Sequence, residues 1–573
     1  MWDAYNLRMK KRLLKYMLAC SLMVVGGTSC QDRLDYNEMT EYDSQEVFSS
    51  FKRTRFFVSN IYSRLQNGMD DGFKRGAMLA SACDEAEFAW TESDIHHFFN
   101  GAWNKNNTLT TSWADMYAGI RAVNFYLRES QGQTFDAYKH NEEYLQEMER
   151  FERYQYEVRF LRAFFYFNLV RTYGDVPLVT TVLTEDEANL LSRTSTDEVF
   201  QFIFDECDDI AEKLPVDYAE VSFAETGRIT KLAVYALKAR AAMYAASPLF
   251  SQPDNTKWEY AAAANKKVLD ECAKNGVVLQ QYQALWGDQN YKGAEVIMER
   301  RMGELNDFER NNFPVGVEGG NSGNCPSQTL VEAYRMKKTG KLWNEPNSGY
   351  NAENPYEGRD PRFELTIAHN GTAKWPAYNT IPLQVYNGGI NGFPTPGAST
   401  TGYYLKKYCD NSVNLKPNYV NKKRHSWIIF RLGEFYLNYA ECVFHYLGSA
   451  DAKTADYTMS PVDALNKLHQ RPGIGMPLIP KGLSNGEFIK YYENERMVEL
   501  AFEQHRFWDV RRWKKGEELK TVKLMKVTLD ANSGKCIYTP IVKERTWEDK
   551  MYFFPLSDVE LRKNSNLKQN PGW

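Results

Sequence analysis

The sequence predicts a mainly helical protein, a stack of tetratricopeptide-like helix pairs carrying an irregular, loop-rich layer. Two observations point there. Apolar residues recur at steps of three and four over several long stretches, the period of one helix face. Residues 303–401 lack that period and are crowded with Gly, Asn and Pro. Short connections between the periodic stretches suit repeat units of about 34 residues, although the repeat signature is too degenerate to phase.

The elements follow in order. Tyr154, Val158, Leu161, Phe165 and Leu169 form one apolar stripe, which Gly174 and Pro177 stop. Arg159 and Arg162 lie off that stripe and are expected to reach a second face or a neighbouring helix. A second helix runs from Thr230 to Ser247, with Leu232, Tyr235, Ala239 and Met243 on one side. Its alanines let another backbone come close, and Pro248 ends it. A third runs from Arg431 to Tyr446 through Leu432, Phe435, Tyr439 and Cys442. A fourth opens at Ser484 with Glu487 in capping-box position and is expected to continue through Glu503 to about Trp513. Lys520 to Leu529 and Tyr538 to Val542 read as short strands. The glycines of residues 303–401, among them Gly316, Gly320, Gly388 and Gly397, mark ordered loops of the kind that carry function.

Composition narrows the classes. The chain has 573 residues, 43% hydrophobic and 25% charged, the balance of a folded protein. A net charge of −4 lacks the basic footprint of a nucleic-acid binder. The nine cysteines form no C-x-x-C pair, which argues against zinc and dithiol chemistry and suggests mostly free thiols. With 36 Tyr and 13 Trp, the chain holds more aromatic surface than packing alone needs. Sugar- and peptide-binding surfaces use such flat, amphipathic rings.

The N-terminus sets the compartment. Lys10, Lys11, Arg12 and Lys15 precede an uncharged run from Tyr16 to Cys30 that is too short to span a membrane but suits a signal peptide. Met9 is the better start. Gly27-Thr28-Ser29-Cys30 resembles a bacterial lipobox, in which the Cys30 thiol takes a diacylglyceryl group. Two or three acyl chains anchor stably where one does not. The polar residues that follow read as a tether.

The motifs together resemble the SusD/RagB outer-membrane nutrient-binding lipoproteins of Bacteroidetes. Arg159 to Asn168 (RFLRAFFYFN) followed by Tyr173-Gly174-Asp175-Val176-Pro177 matches the family's N-terminal hallmark. Gly227-Arg228 to Pro248, Pro326-Ser327-Gln328, Arg359-Asp360-Pro361-Arg362 and Thr401-Gly402-Tyr403-Tyr404 with Lys406 and Lys407 follow in the family's order. Arg431 to Glu441, Glu493 to Trp513, Phe554-Pro555-Leu556 and the terminal Asn570-Pro571-Gly572-Trp573 complete it. The resemblance implies four tetratricopeptide-like helix pairs under an irregular ligand-binding layer. It also implies a partner, a SusC-type TonB-dependent transporter whose mouth the lipoprotein covers as a hinged lid.

Reactive constellations read as structural. Glu495, Glu499 and Glu503 fall at steps of four, with Arg496 and Arg506 placed for helix ion pairs to Glu493 and Glu503. The basic cluster Arg506, Arg511, Arg512, Lys514 and Lys515 suits the negative end of a helix. His96 and His97 lack a third metal ligand, and Asp84, Glu85 and Glu87 lack calcium-loop spacing. No G-x-S-x-G, H-E-x-x-H or P-loop is present. No catalysis, metal or cofactor is therefore expected.

Tryptophans are the better candidates. An indole stacks on the C–H face of a sugar while neighbouring polar groups bond its hydroxyls. Trp90, ahead of a polar loop, is the first such platform, with Asp94 and Asn100 as hydroxyl partners. Trp343, Trp375 and Tyr386 of the loop-rich segment are further candidates. Trp103 and Trp286 read as core.

The expected organisation is a signal peptide with lipobox over residues 1–29, a lipidated tether over 30–50, a SusD-like N-terminal helical region over 51–290 and a C-terminal region over 291–573. The resemblance implies a cell-surface, outer-membrane lipoprotein that captures oligosaccharides and delivers them to its transporter. A peptide-capturing lid and a periplasm-facing helical scaffold without a small ligand are the alternatives.

Overall fold

The computed structural model describes residues 44–110, 112–220 and 225–573. The leader and the lipidation site Cys30 lie outside the described residues. The chain divides into two compact units, Met1–Thr54 and Arg55–Trp573. The described part of the first holds the short helix Ser44–Phe48 and the start of helix Phe51–Tyr62. The second carries the helical body and the loop-rich segment.

The body is a row of helices, each packed on the next. In order they are α1 (Ser112–Glu129), α2 (Tyr144–Tyr173), α3 (Thr196–Ala211), α4 (Lys231–Ala246), α5 (Asn255–Lys274), α6 (Leu432–Leu447) and α7 (Pro461–His469). α2 ends at Gly174, whose φ of 73° continues no helix. Arg159 and Arg162 reach the neighbouring helix, both bonding Glu206 of α3. α4 is buried on nearly every side, and its alanines admit α3 and α5 at once. Ser195 and Ser460 close capping boxes on α3 and α7. The row is interrupted once. Between α5 and α6 the chain leaves for residues 275–431, which include the loop-rich layer, and α6 then packs back on α5.

Strands are short and paired. β1 (Ala86–Phe88) pairs antiparallel with β3 (Asn324–Pro326), and β2 (Val296–Arg300) with β6 (Trp427–Arg431). β4 (Ile367–Ala368) pairs with β5 (Tyr404–Leu405). The expected strands near the C-terminus form one hairpin, β7 (Thr521–Leu529) and β8 (Cys536–Glu544). Every cysteine among the described residues is free, and all but Cys536 are buried.

The fourth helix departs from expectation. It opens with the Ser484–Glu487 capping box but splits into α8 (Asn485–Glu499) and α9 (His505–Arg512). Phe502 and Gln504 turn through φ 60° and 66° between them. The break releases Glu503 from the face of Glu495 and Glu499. Glu503 meets Lys407 and Arg431, while Glu495 and Glu499 meet Arg362, and Glu499 also meets Arg431 and Arg471. The expected helix ion pairs are also replaced. Arg496 pairs with Asp509 and Arg506 with Asp84. The basic cluster does fall at a helix end, with Arg511 and Arg512 in the last turn of α9, but Arg512 is also buried between Glu441 and Asp509, and Lys515 pairs with Glu493. Buried guanidinium groups of this kind need carboxylates, and the turn supplies them.

Candidate ligand-binding site

The β1–β3 ladder positions the first candidate surface. Ala86 lies opposite Pro326 and Phe88 opposite Asn324, and the Ala89 N–H donates to Gly323 O at 2.9 Å. The pairing delivers Trp90 to the rim of the ladder, half-buried. Its indole N–H donates to Asn321 O at 2.6 Å, which fixes the ring plane. The Arg75 guanidinium lies 4.0 Å from the ring centroid. Gly397 approaches the ring so closely that a Cβ there would stand 2.4 Å from Cζ2.

Polar groups surround this ring. Arg75 pairs with Glu92 at 2.8 Å, and both side chains are about half exposed, 45% and 48%. Asp94 accepts from the Lys74 N–H, and Ser93 Oγ donates to Lys74 O. The loop is thereby tied to the segment that carries Arg75. His96 bonds Trp90 O through Nε2, and His97 bonds the Asn107 side chain. Burial lowers the His96 pKa, which favours a neutral ring.

The remaining candidates disperse. Asn100 is exposed and caps its own turn by accepting from the Ala102 N–H. Tyr386 is half-buried in a closed loop, 384–393, that runs on towards Gly397. Trp343 is half-buried elsewhere, edge-on to Tyr350 at 5.4 Å. Trp375 is only 4% exposed and packs edge-on to Phe313, which leaves no ring face for a ligand. Trp103 and Trp286 are core, 3% and 4% exposed.

The acidic stretch beside Trp90 is divided by its neighbours. Asp84 faces Arg506, and Glu87 faces Arg545 and Lys543. Glu85 forms no ion pair among the described residues, and burial, reinforced by the Asp84 charge, pushes its carboxyl up to about 8.

Sequence reasoning missed Arg75, whose place over Trp90 depends on a left-handed residue at φ 62°. It also missed a cleft of about 500 Å³ behind Phe73 and Phe98.

This architecture has known counterparts. The model of the SusD family matches residues 294–573. A second model, described as starch-binding and associating with the outer membrane, matches residues 35–243. The chain belongs to the SusD/RagB family. Its mainly helical fold is the tetratricopeptide-like architecture of that family. SusD-like protein P2 of Formosa agariphila is 22% identical, over 98% of this chain and 100% of its own length. A crystal structure of a SusD-like protein from Bacteroides fragilis superposes with a TM-score of 0.73 at 25% identity, covering 93% of this chain and 99% of that one. A SusD-like carbohydrate-binding protein from the same species reaches a TM-score of 0.71 at 22% identity, over 91% and 100%. A laminarin-binding SusD-like protein reaches 0.61 at 21%, over 91% and 99%.

Proposed function

We propose that this SusD-family chain is an outer-membrane lipoprotein, anchored through Cys30 and facing the cell exterior. It captures oligosaccharides on the surface around Trp90 and delivers them to a SusC-type TonB-dependent transporter. The observation that carries the reading is the half-buried indole held rigid by Asn321, with Arg75, Glu92 and Asp94 at its rim. The ring supplies a flat apolar face and the rim supplies donors and acceptors for hydroxyls. Carbohydrate- and laminarin-binding relatives of the same fold support a glycan as ligand.

Arg75 would act as a movable cover. An exposed cation–π contact contributes only about 0.5–1 kcal/mol, so a pyranose that stacks on the indole can replace it. The displaced guanidinium stays within reach of the sugar hydroxyls. Binding and release are then both inexpensive, as delivery to a transporter requires. No bond of the ligand is made or broken in this proposal.

Calorimetry with a panel of oligosaccharides, laminarin fragments included, tests it. One glycan class should bind, and Trp90→Ala should weaken that class at least tenfold while the protein stays folded, as circular dichroism would check. Binding that Trp90→Ala leaves intact would overturn the placement of the site. Binding of peptides and of no glycan would overturn the ligand class.

A further inference from the structure

A second concavity is lined by Phe73 and Phe98 but by none of Arg75, Trp90, Glu92 and Asp94. Its volume of about 500 Å³ falls within the usual range for small-molecule sites. Phe73, Phe98, Trp508 and Phe554 line its apolar wall, and the Trp508 and Phe554 rings lie nearly parallel at 6.0 Å. Asn60, Ser63 and Asn67 line it as well. An aromatic wall facing amides and hydroxyls is a surface for a small polyol.

Arginines give it a positive lining. Arg64, Arg171 and Arg300 line the cleft, and none of them forms an ion pair among the described residues. Elsewhere the buried Arg362, Arg431, Arg471, Arg496 and Arg512 face carboxylates, whereas Arg359 and Arg511 bond backbone carbonyls. Arg171 is only 8% exposed. Its guanidinium lies 4.4 Å from the Trp508 ring centroid and donates from Nη2 to Gln66 Oε1 at 2.9 Å. Arg171 Nε and Trp508 Nε1 are both buried without an acceptor. Burial lowers the Arg171 pKa to about 10, outweighing the opposing influence of Tyr244 and the Asp71 carboxyl.

The acidic side chains of the cleft do not fill this need. Asp71 is occupied, accepting from Gln504 Nε2 at 2.6 Å and from the Leu79 N–H. Burial pushes its carboxyl up to about 7. Asp70 accepts from the Gly72 N–H, and Asp115 is already partnered. The unsatisfied buried groups are thus donors, and no carboxylate pairs directly with Arg171 among the described residues.

We propose that this cleft is a second ligand site, which takes a small saccharide bearing an oxyanion, either a carboxylate or a sulfate ester. The oxyanion pairs with the Arg171 guanidinium, while the sugar ring lies against the aromatic wall. A hydrogen bond between two charged groups is about twice as strong as a neutral one, so an anionic sugar is favoured over a neutral one of equal size.

The test titrates the full chain with glucuronate, glucose 6-sulfate and glucose, read by calorimetry and by tryptophan fluorescence. At least one anionic sugar should bind tenfold or more tightly than glucose, and the affinity should fall as salt rises. The preference between the two anions distinguishes carboxylate from sulfate. Arg171→Gln should reduce anion binding at least tenfold. Asn60→Trp, a change at the exposed rim that leaves the buried arginine intact, should block the cleft to a similar degree. Trp90→Ala should leave it unchanged. Glucose binding as well as the anions, no saturable binding of either anion, or anion binding that neither cleft variant weakens would each overturn the proposal.

Discussion

Gly397 shows how one residue sets the candidate platform. Its φ is +78°, and a methyl group there would meet the Trp90 indole at 2.4 Å from Cζ2. Gly397→Ala therefore has to displace the ring or bend the loop, with a strain of about 1–2 kcal/mol from the left-handed backbone alone. Glycan affinity should fall about tenfold in calorimetry, and tryptophan fluorescence should change in the free protein. The sequence marked Trp90 through its residue type and its polar loop. It did not mark Arg75, and it marked Gly397 only as a loop glycine, because a close approach between distant loops leaves no local pattern. Trp375 shows the same limit from the other side. Its loop looks open in sequence, yet the ring packs against Phe313 and is buried. Glu85 makes a second prediction at this scale. Its folded pKa of about 8 lies above the ordinary 4.5, because burial and the Asp84 charge penalise the ionised form. The folded state then keeps a proton that the unfolded state releases, so stability falls as pH rises from about 5 to 8, by up to about 1.4 kcal/mol per pH unit. Glu85→Gln should remove that loss, raising the melting temperature at pH 8 and changing it little at pH 5.

Elements were legible where a stop signal stood in the chain. Gly174 and Pro248 end α2 and the Ser247 turn after α4 as their chemistry requires. The split between α8 and α9 had no such signal. Its turn residues are Phe502 and Gln504, which no stop rule selects, and apolar residues continue across it. What compels the turn is tertiary: Glu503 meets Lys407 and Arg431, and the Phe502 N–H reaches Glu85. α8 therefore depends on the charge network it helps to close. Glu499 takes bonds from Arg362, Arg431 and Arg471. Glu499→Gln would leave three buried guanidinium groups short of charge, and removing one partner of such a network costs about 3–5 kcal/mol. Urea unfolding should show that loss with an unchanged m-value, since the surface exposed on unfolding stays the same.

At the scale of the whole molecule, periodicity revealed a helical stack but not its interruption. α5 and α6 pack together although residues 275–431 separate them, and no local spacing reports such a contact. The same long connection brings Glu295, Arg362 and Lys407 onto the helices and builds the charged core across the fold. That core gives the molecule a pH profile with two limbs. Burial alone would raise the Glu441 and Glu499 carboxyls, but Arg512 at the first and Arg471, Arg431 and Arg362 at the second outweigh it and hold both at about 2. Folded values below the unfolded 4.5 contribute stability that is present above about pH 4.5 and is lost as pH falls towards 2. Glu85 and Asp71, raised to about 8 and about 7, have the opposite sign and withdraw stability as pH rises from about 4 to 8. The two limbs cross near pH 5, where the depressed carboxylates are ionised and the raised ones are still protonated. Thermal unfolding followed from pH 3 to 9 should therefore reach its highest midpoint near pH 5. Glu85→Gln should flatten only the neutral limb, and Glu499→Gln should lower the plateau and flatten only the acid limb. A midpoint that rises steadily to pH 8 would show that the buried carboxyls ionise without cost, and would remove the basis for both limbs.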